Sequence, residues 1–197
     1  MKEGAIAGEV ELLYLDEAGF APTLPTSYTW ARAGVRATVA HEAPQRRRVN
    51  VIGAWAPLGA QPRFAYRSTA GKLDSAAFLA FLWHDVGGVS TPLGQRPPGF
   101  QRQRRCVVVL DNYGIHHSHA VSDARPALTA AGIELVYLPP YSPELNLIEA
   151  LWRHVKHEQM PIRSYTTVQA LQAAVDHALD QHVTIPVDCV HDLPQAA

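Results

Sequence analysis

The sequence predicts an α/β fold, a mixed sheet with helices on both of its faces. Three observations carry that expectation. Short strand-like runs come first, two of them joined by a Pro/Gly turn. From residue 74 onward strand and helix patterns alternate. The resulting order is β-β-β-α-β-α-β-α-α, and hairpin strands ahead of β/α alternation imply a mixed sheet covered by helices.

Each element has a local cause. Residues 10–15 (VELLYL) form a short buried strand ending on Asp16-Glu17, before the turn-prone Ala18-Gly19; Pro22 and Pro25 then mark a loop. Residues 49–55 (VNVIGAW) make a second strand, stopped by Pro57-Leu58-Gly59, and a third runs from about Arg63 to Arg67. From Asp74, which with Ser75 is a capping candidate, Phe78, Leu79, Leu82 and Trp83 recur at helical spacing. Residues 87–101 are a Gly/Pro-rich loop, and CVVVLD (106–111) has the β-branched bias of a central strand. A helix follows from Ser118 to Ala131, with Gly132 at its C-terminal end, then a strand from Ile133 to Leu138 stopped by Pro139-Pro140. A helix from Leu145 or Asn146 to about Gln159 places Leu147, Ile148, Leu151, Trp152 and Val155 on one face. The last helix, about Thr167 to Asp180, has Val168, Leu171, Val175 and Leu179 as its apolar stripe.

Composition bounds the function classes. Of 197 residues, 47% are hydrophobic and 18% charged, enough to bury a core and too apolar for a disordered chain. The net charge of −1 does not announce a nucleic-acid binder, so only local basic patches could serve that purpose. Two cysteines, Cys106 and Cys189, give no disulfide framework and suit a reducing cytoplasm. The N-terminus lacks the pattern of a secretory signal, and no apolar run approaches the ~18 residues a membrane span needs.

Two aspartates stand at the ends of apolar strands. Polar groups at strand C-termini of open α/β sheets face a shared crevice, so Asp16 and Asp111 can meet despite lying 95 positions apart. Together they suit a hard cation such as Mg²⁺, and a third carboxylate would complete a pair of ions able to stabilise attacking and leaving oxygens in phosphodiester chemistry. Glu149, on the first turn of its helix beside an apolar stripe, is the candidate. A strand-end Asp is more often a turn or cap residue, and a first-turn Glu is ordinarily there for the helix dipole, so spacing alone leaves both readings standing. Asp85, Asp123, Glu134 and Glu144 read as solvated or capping residues.

Three strings change the balance. LYLDEAGF (13–20), VVVLDNYGIHHSHAV (107–121) and YLPPYSPELNLIEALWRHVKHE (137–158) resemble the DDE endonuclease domain of bacterial insertion-sequence transposases of the Tc/mariner superfamily. The third string is long and specific, the order is the expected one, and Trp30 and Gly34 match the family's Trp-x-x-x-Gly pattern. The resemblance covers about residues 10–160. It implies an RNase H-like mixed five-stranded sheet flanked by helices, with Asp16, Asp111 and Glu149 as the catalytic, metal-binding carboxylates. It implies two Mg²⁺ or Mn²⁺ ions, cleavage of transposon ends by water and joining of the freed 3′-hydroxyl to target DNA. Two copies would hold two ends, so a homodimer on DNA is an expectation of the same kind. The sequence departs from the family in having Asn146-Leu147-Ile148-Glu149 where Asn-Pro-Ile-Glu is common, and in an Asp111–Glu149 interval of 38 residues, somewhat above the usual mid-thirties. The family's N-terminal helix-turn-helix region has no counterpart ahead of the first catalytic strand, so the whole chain reads as one catalytic domain. It divides into a core of about 10–160 and a C-terminal helical extension of about 161–197; a separately encoded helix-turn-helix partner would supply recognition.

Supporting residues follow. Asn112 would orient a carboxylate or a water and His116 would contact phosphate or substrate, or else both satisfy the turn after the strand. Arg46, Arg47, Arg48, Arg102, Arg104, Arg105, Arg153 and Lys156 are basic; of these Lys156, seven residues beyond Glu149, is the foremost candidate for DNA contact, with Arg153 and Arg46–Arg48 beside it. The alternative for each is a solvated surface. His116, His117, His119 and Cys106 fit no familiar zinc spacing. Trp83 and Trp152 read as core, Trp30 as a stacking or sheet-edge residue, and Tyr141 as a residue packing the loop before Glu149. A catalytically silent remnant, or an RNase H-like nuclease with another nucleic-acid substrate, are the rival functions.

Overall fold

The structure, a computed structural model, describes residues 1–22, 32–36, 47–58, 62–90, 99–160 and 165–182. Trp30, Arg46, Cys189, Pro25, Gly59 and residues 91–98 of the Gly/Pro loop lie outside the described residues.

A short helix α1 (Lys2–Ile6), which the sequence pattern did not signal, precedes five strands: β1 (Val10–Phe20), β2 (Val49–Ala56), β3 (Arg63–Thr69), β4 (Arg105–Leu110) and β5 (Ile133–Tyr137). They form one sheet in the order β3-β2-β1-β4-β5, antiparallel through β3, β2 and β1 and parallel through β1, β4 and β5. The mixed five-stranded sheet flanked by helices is the RNase H-like arrangement.

Among the described residues four further α-helices flank it: α2 (Ser75–Phe81), α3 (His119–Ala130), α4 (Ile148–His154) and α5 (Val168–Asp180). Asp74 caps α2 by accepting from the Ala77 N–H, and Gly132 leaves α3 with φ of 83°, the left-handed value a helix-ending glycine supplies. A π-helical turn extends α2 over Leu82–Val86, and another extends α4 over Val155–Gln159.

Strand alternation sorts the core into two layers. Leu13, Leu15, Val108 and Leu110 face α2 and α3. Leu12, Tyr14, Val107 and Val109 face the other side, where α4 and α5 contribute Ile148, Leu151, Val155, Leu171, Val175 and Leu179. Helix α5, within the segment expected to be a C-terminal extension, thus packs into the same core cluster as α4. Tyr66 of β3 reinforces it by donating its hydroxyl to Asp180 at 2.7 Å.

Helix α4 has no side-chain cap, and seven residues are too few to hold a helix by propensity alone. Burial holds it: Ile148 and Val155 are fully buried, each contributing ~1.5–3 kcal/mol. Trp152, 2% exposed, lies over β2 because position 53 is glycine; a Cβ there would sit 2.6 Å from Trp152 Cη2. At the opposite end of β1, Glu11 is paired with both Arg63 and Arg102. Arg102, a basic-cluster candidate for DNA, is therefore a largely buried ion-pair partner. Cys106, fully buried in β4, has its thiol pushed up to about 12 by desolvation and behaves as a small core residue.

Replacing Gly53 with Ala should lower stability by about 1–3 kcal/mol by pushing Trp152 off the sheet, as read by chemical denaturation. An unchanged midpoint would show that the Trp152 seat is not tight.

Candidate active site

The register of β1 against β4 decides which residues meet. Val10 pairs with Arg105 and Tyr14 with Val109, a constant offset of 95 positions. Continued two residues past that ladder, the same offset sets Asp16 beside Asp111. Both fall on the side-chain parity of Tyr14 and Val109, the face that α4 covers. Asp16 does not end its strand as expected: β1 runs on to Phe20 because β2 keeps pairing with it, Asp16 against Gly53 and Phe20 against Val49. Asp111 does stand just beyond the end of β4.

Glu149 arrives from the first turn of α4, and the three carboxylates line one pocket of about 430 Å³ together with Asn112, Tyr113, Asn146 and the Leu138–Pro143 loop. That volume lies in the ~300–1,000 Å³ range of ligand sites. Each aspartate is engaged by protein donors. Trp152 Nε1 donates to Asp16 Oδ2 at 3.2 Å, and the Tyr113 N–H donates to Asp111 Oδ1 at 2.9 Å. Among the described residues, no three His, Cys, Asp or Glu side chains stand as a group that could hold a metal ion. The pocket is thus an acidic cleft and not a closed cage of ligands.

Its electrostatics still point to a cation. Burial, and after it the charge of Glu149, pushes the Asp16 carboxyl up to about 7, with Glu17 and Asp111 adding to the repulsion. A divalent ion would relieve that repulsion, and an all-oxygen donor set suits Mg²⁺ or Mn²⁺. The donor chemistry and charge therefore fit the ions expected from the sequence.

His116 is 1% exposed, which leaves it no access to a phosphate. Its Nε2 lies 3.1 Å from Glu17 Oε1, and its Nδ1 lies 3.1 Å from Asp111 Oδ1. Desolvation lowers its basicity, but the Glu17 hydrogen bond and the charges of Glu17 and Asp111 outweigh that and raise it. Glu17, expected from the sequence only as a strand-end residue, thus backs the second aspartate through the imidazole. Asn112 turns away from the carboxylates: its Nδ2 donates to the Leu138 carbonyl and its Oδ1 faces His117.

The basic candidates divide. Lys156 is half-buried with Nζ 5.2 Å from the Phe20 ring centre; burial lowers its pKa while Glu149 and Asp16 pull the other way. It stays at the acidic site. Arg153 and Arg48 are exposed. Arg47 donates to the Tyr165 and Thr166 carbonyls ahead of α5, so it ties the fold together. Tyr141 does not pack: it is fully exposed with φ of 59°, on the same pocket edge as Tyr113 at 55% exposure.

The likeness to known proteins agrees with this geometry. The family described as DDE superfamily endonuclease matches residues 11–172. The fold resembles the Mos1 strand transfer complex, with TM-score 0.55 and 16% identity over 86% of this chain and 47% of that one. It resembles a pre-cleavage Mos1 transpososome at TM-score 0.52 and 16% identity, over 95% and 57%. The mariner Mos1 paired end complex with Mg gives 0.52 and 18%, over 87% and 49%. The chain spans about half the length of these structures, and at such identities the likeness speaks for the fold. No curated protein matches.

The raised Asp16 pKa sets a pH dependence. In the unfolded chain this carboxyl ionises near 3.8, in the folded chain near 7. Between those values the folded state holds the extra proton, so stability falls as pH rises from about 4 to about 7. Without divalent ions, Asp16→Asn should flatten that decline and unfold at a higher temperature than the parent at pH 8; an unchanged slope would contradict the assignment.

Proposed function

The chain belongs to the DDE superfamily endonucleases, and from that membership we infer that it is a transposase catalytic domain that cleaves DNA ends and transfers the freed strand to target DNA. The observation that carries the reading is one pocket lined by Asp16, Asp111 and Glu149, three carboxylates drawn from two neighbouring strands and the helix that covers them.

Asp16, Asp111 and Glu149 are the residues that would hold two Mg²⁺ or Mn²⁺ ions. When bound, such ions lower the pKa of an attacking water or hydroxyl and neutralise charge on the scissile phosphate. The chain's own groups orient that chemistry. Trp152 fixes one oxygen of Asp16. His116 and the Tyr113 N–H restrain Asp111 from behind. Pre-set carboxylates spare the reaction the cost of gathering them in the transition state. Lys156, close enough to feel Glu149 and Asp16, would meet a phosphate bound near those carboxylates, and exposed Arg48 and Arg153 would extend a basic margin.

DNA is the substrate and partner in this reading; the likeness in fold to a Mos1 strand transfer complex and to a Mos1 paired end complex with Mg supports strand transfer and the ion. Two copies holding two ends, and a helix-turn-helix segment or subunit for end recognition, complete the proposal. Among the described residues no helix is long and apolar enough to cross a membrane.

Incubated with Mg²⁺ or Mn²⁺ and duplex DNA, the chain should nick or join strands. Asp111→Ala should reduce that rate by at least about 10³-fold, a loss of roughly 4 kcal/mol of transition-state stabilisation. Equal rates in parent and variant would remove Asp111 from the mechanism, and preference for an RNA–DNA hybrid over duplex DNA would redirect the substrate.

A further inference from the structure

Asn146 joins the two parts of the site that come from opposite ends of the chain. Its backbone carbonyl accepts from the Glu149 N–H at 3.1 Å, which opens the first turn of α4. Its Nδ2 donates to the Leu15 carbonyl at 3.0 Å, across 131 positions of sequence and onto the residue just ahead of Asp16. One residue therefore touches the backbone that carries the first carboxylate and the backbone that carries the third.

The amide's orientation is fixed by chemistry. The Leu15 carbonyl only accepts, so the nitrogen of the amide must face it and the oxygen must face elsewhere. That oxygen, Oδ1, is buried and finds no hydrogen-bond donor among the described residues. Asn146 is 4% exposed and forms part of the wall of the pocket lined by the three carboxylates. A buried acceptor without a donor costs ~1–3 kcal/mol, more than the ~1 kcal/mol that the Leu15 hydrogen bond returns. A side chain serving only to tie Leu15 would need a donor and nothing more. The unmatched half is an acceptor, and once a divalent ion displaces the proton that Asp16 holds up to about pH 7, the neighbouring carboxylates of Asp16, Asp111 and Glu149 have none to give it. A hydrated divalent ion does: Mg²⁺ and its relatives keep several waters, each a strong donor.

We propose that Asn146 is a positioning residue of the active site, its Oδ1 accepting a hydrogen bond from the hydration shell of a divalent ion held by the neighbouring carboxylates. The proposal rests on the metal-dependent reading above. It gives Asn146 a role that neither a helix start nor a simple tie to Leu15 accounts for, and it ties the spacing of Asp16 and Glu149 to occupancy of the pocket.

Calorimetric titration of the full chain with Mn²⁺, in the absence of DNA, tests it, with thermal unfolding of each ion-free protein measured alongside. Asn146→Leu keeps the volume and removes both polar atoms; its Mn²⁺ affinity should fall by about tenfold or more. Asn146→Asp also loses the donor to Leu15 but keeps an acceptor oxygen and adds a negative charge, and should bind at least as tightly as the parent. Asn146→Ser, expected to weaken binding like Leu, stands in if the Leu variant fails to fold. Parental Mn²⁺ affinity in Asn146→Leu, with only the unfolding temperature lowered, would overturn the proposal, as would Asn146→Asp binding as weakly as Leu. Asp16→Asn separates this from the reading beneath it. Mn²⁺ binding lost there but intact in Asn146→Leu removes the Asn146 role alone; binding intact in Asp16→Asn removes the metal assignment and the proposal with it.

Discussion

The parallel ladder between β1 and β4 is the constraint on which the site depends. Its offset of 95 positions is not free to vary, because both strands are buried and a one-residue slip would turn every side chain to the opposite face. In the observed register Leu13 and Leu15 enter one core layer while Leu12 and Tyr14 enter the other. The same alternation delivers Asp16 and Asp111 side by side toward α4. Core packing thereby sets the position of the charges, and no loop has to be ordered to bring them together.

The third carboxylate depends on a different fit. Helix α4 is short and uncapped, and its place is determined by what it buries. Trp152 is central to this: its ring occupies the space left by Gly53, and its Nε1 reaches Asp16. A residue that secures the helix carrying Glu149 also restrains the aspartate opposite. Concentrating acidic groups here works against stability, since Asp16 is desolvated and repelled by its neighbours. Such opposition is characteristic of a site arranged for a ligand rather than for folding. The buried ion pairs of Glu11 with Arg63 and Arg102, at the other end of β1, show the contrasting case of a carboxylate matched by protein cations.

Most of the architecture was legible in the sequence because the signals were local and periodic. The strand and helix patterns from residue 10 to residue 180 correspond to observed elements within a few residues, and Asp74 and Gly132 mark helix ends as their chemistry suggests. The continuation of β1 past Asp16 was not legible, since it comes from a cross-strand partner 37 positions away in the Asp16–Gly53 pair. Glu17, the Trp152 donor and the Asn146 bracket were missed for the same reason: each acts through a contact of more than 90 positions. The one available hint was Gly53, an isolated glycine inside a strand pattern, which signals a close approach without naming what approaches. Arg47, Arg102 and Tyr141 misled in the opposite direction, because residue type does not reveal whether a guanidinium is spent on backbone carbonyls or a ring is left in solvent.

The central claim is that residues distant along the chain form one cation-binding cleft. Anomalous diffraction at the manganese edge, from crystals of the chain grown with Mn²⁺, tests it most directly. The account predicts strong anomalous density bounded by the carboxylates of Asp16, Asp111 and Glu149. Density at other side chains, with those three carboxylates turned away from it, would contradict the account.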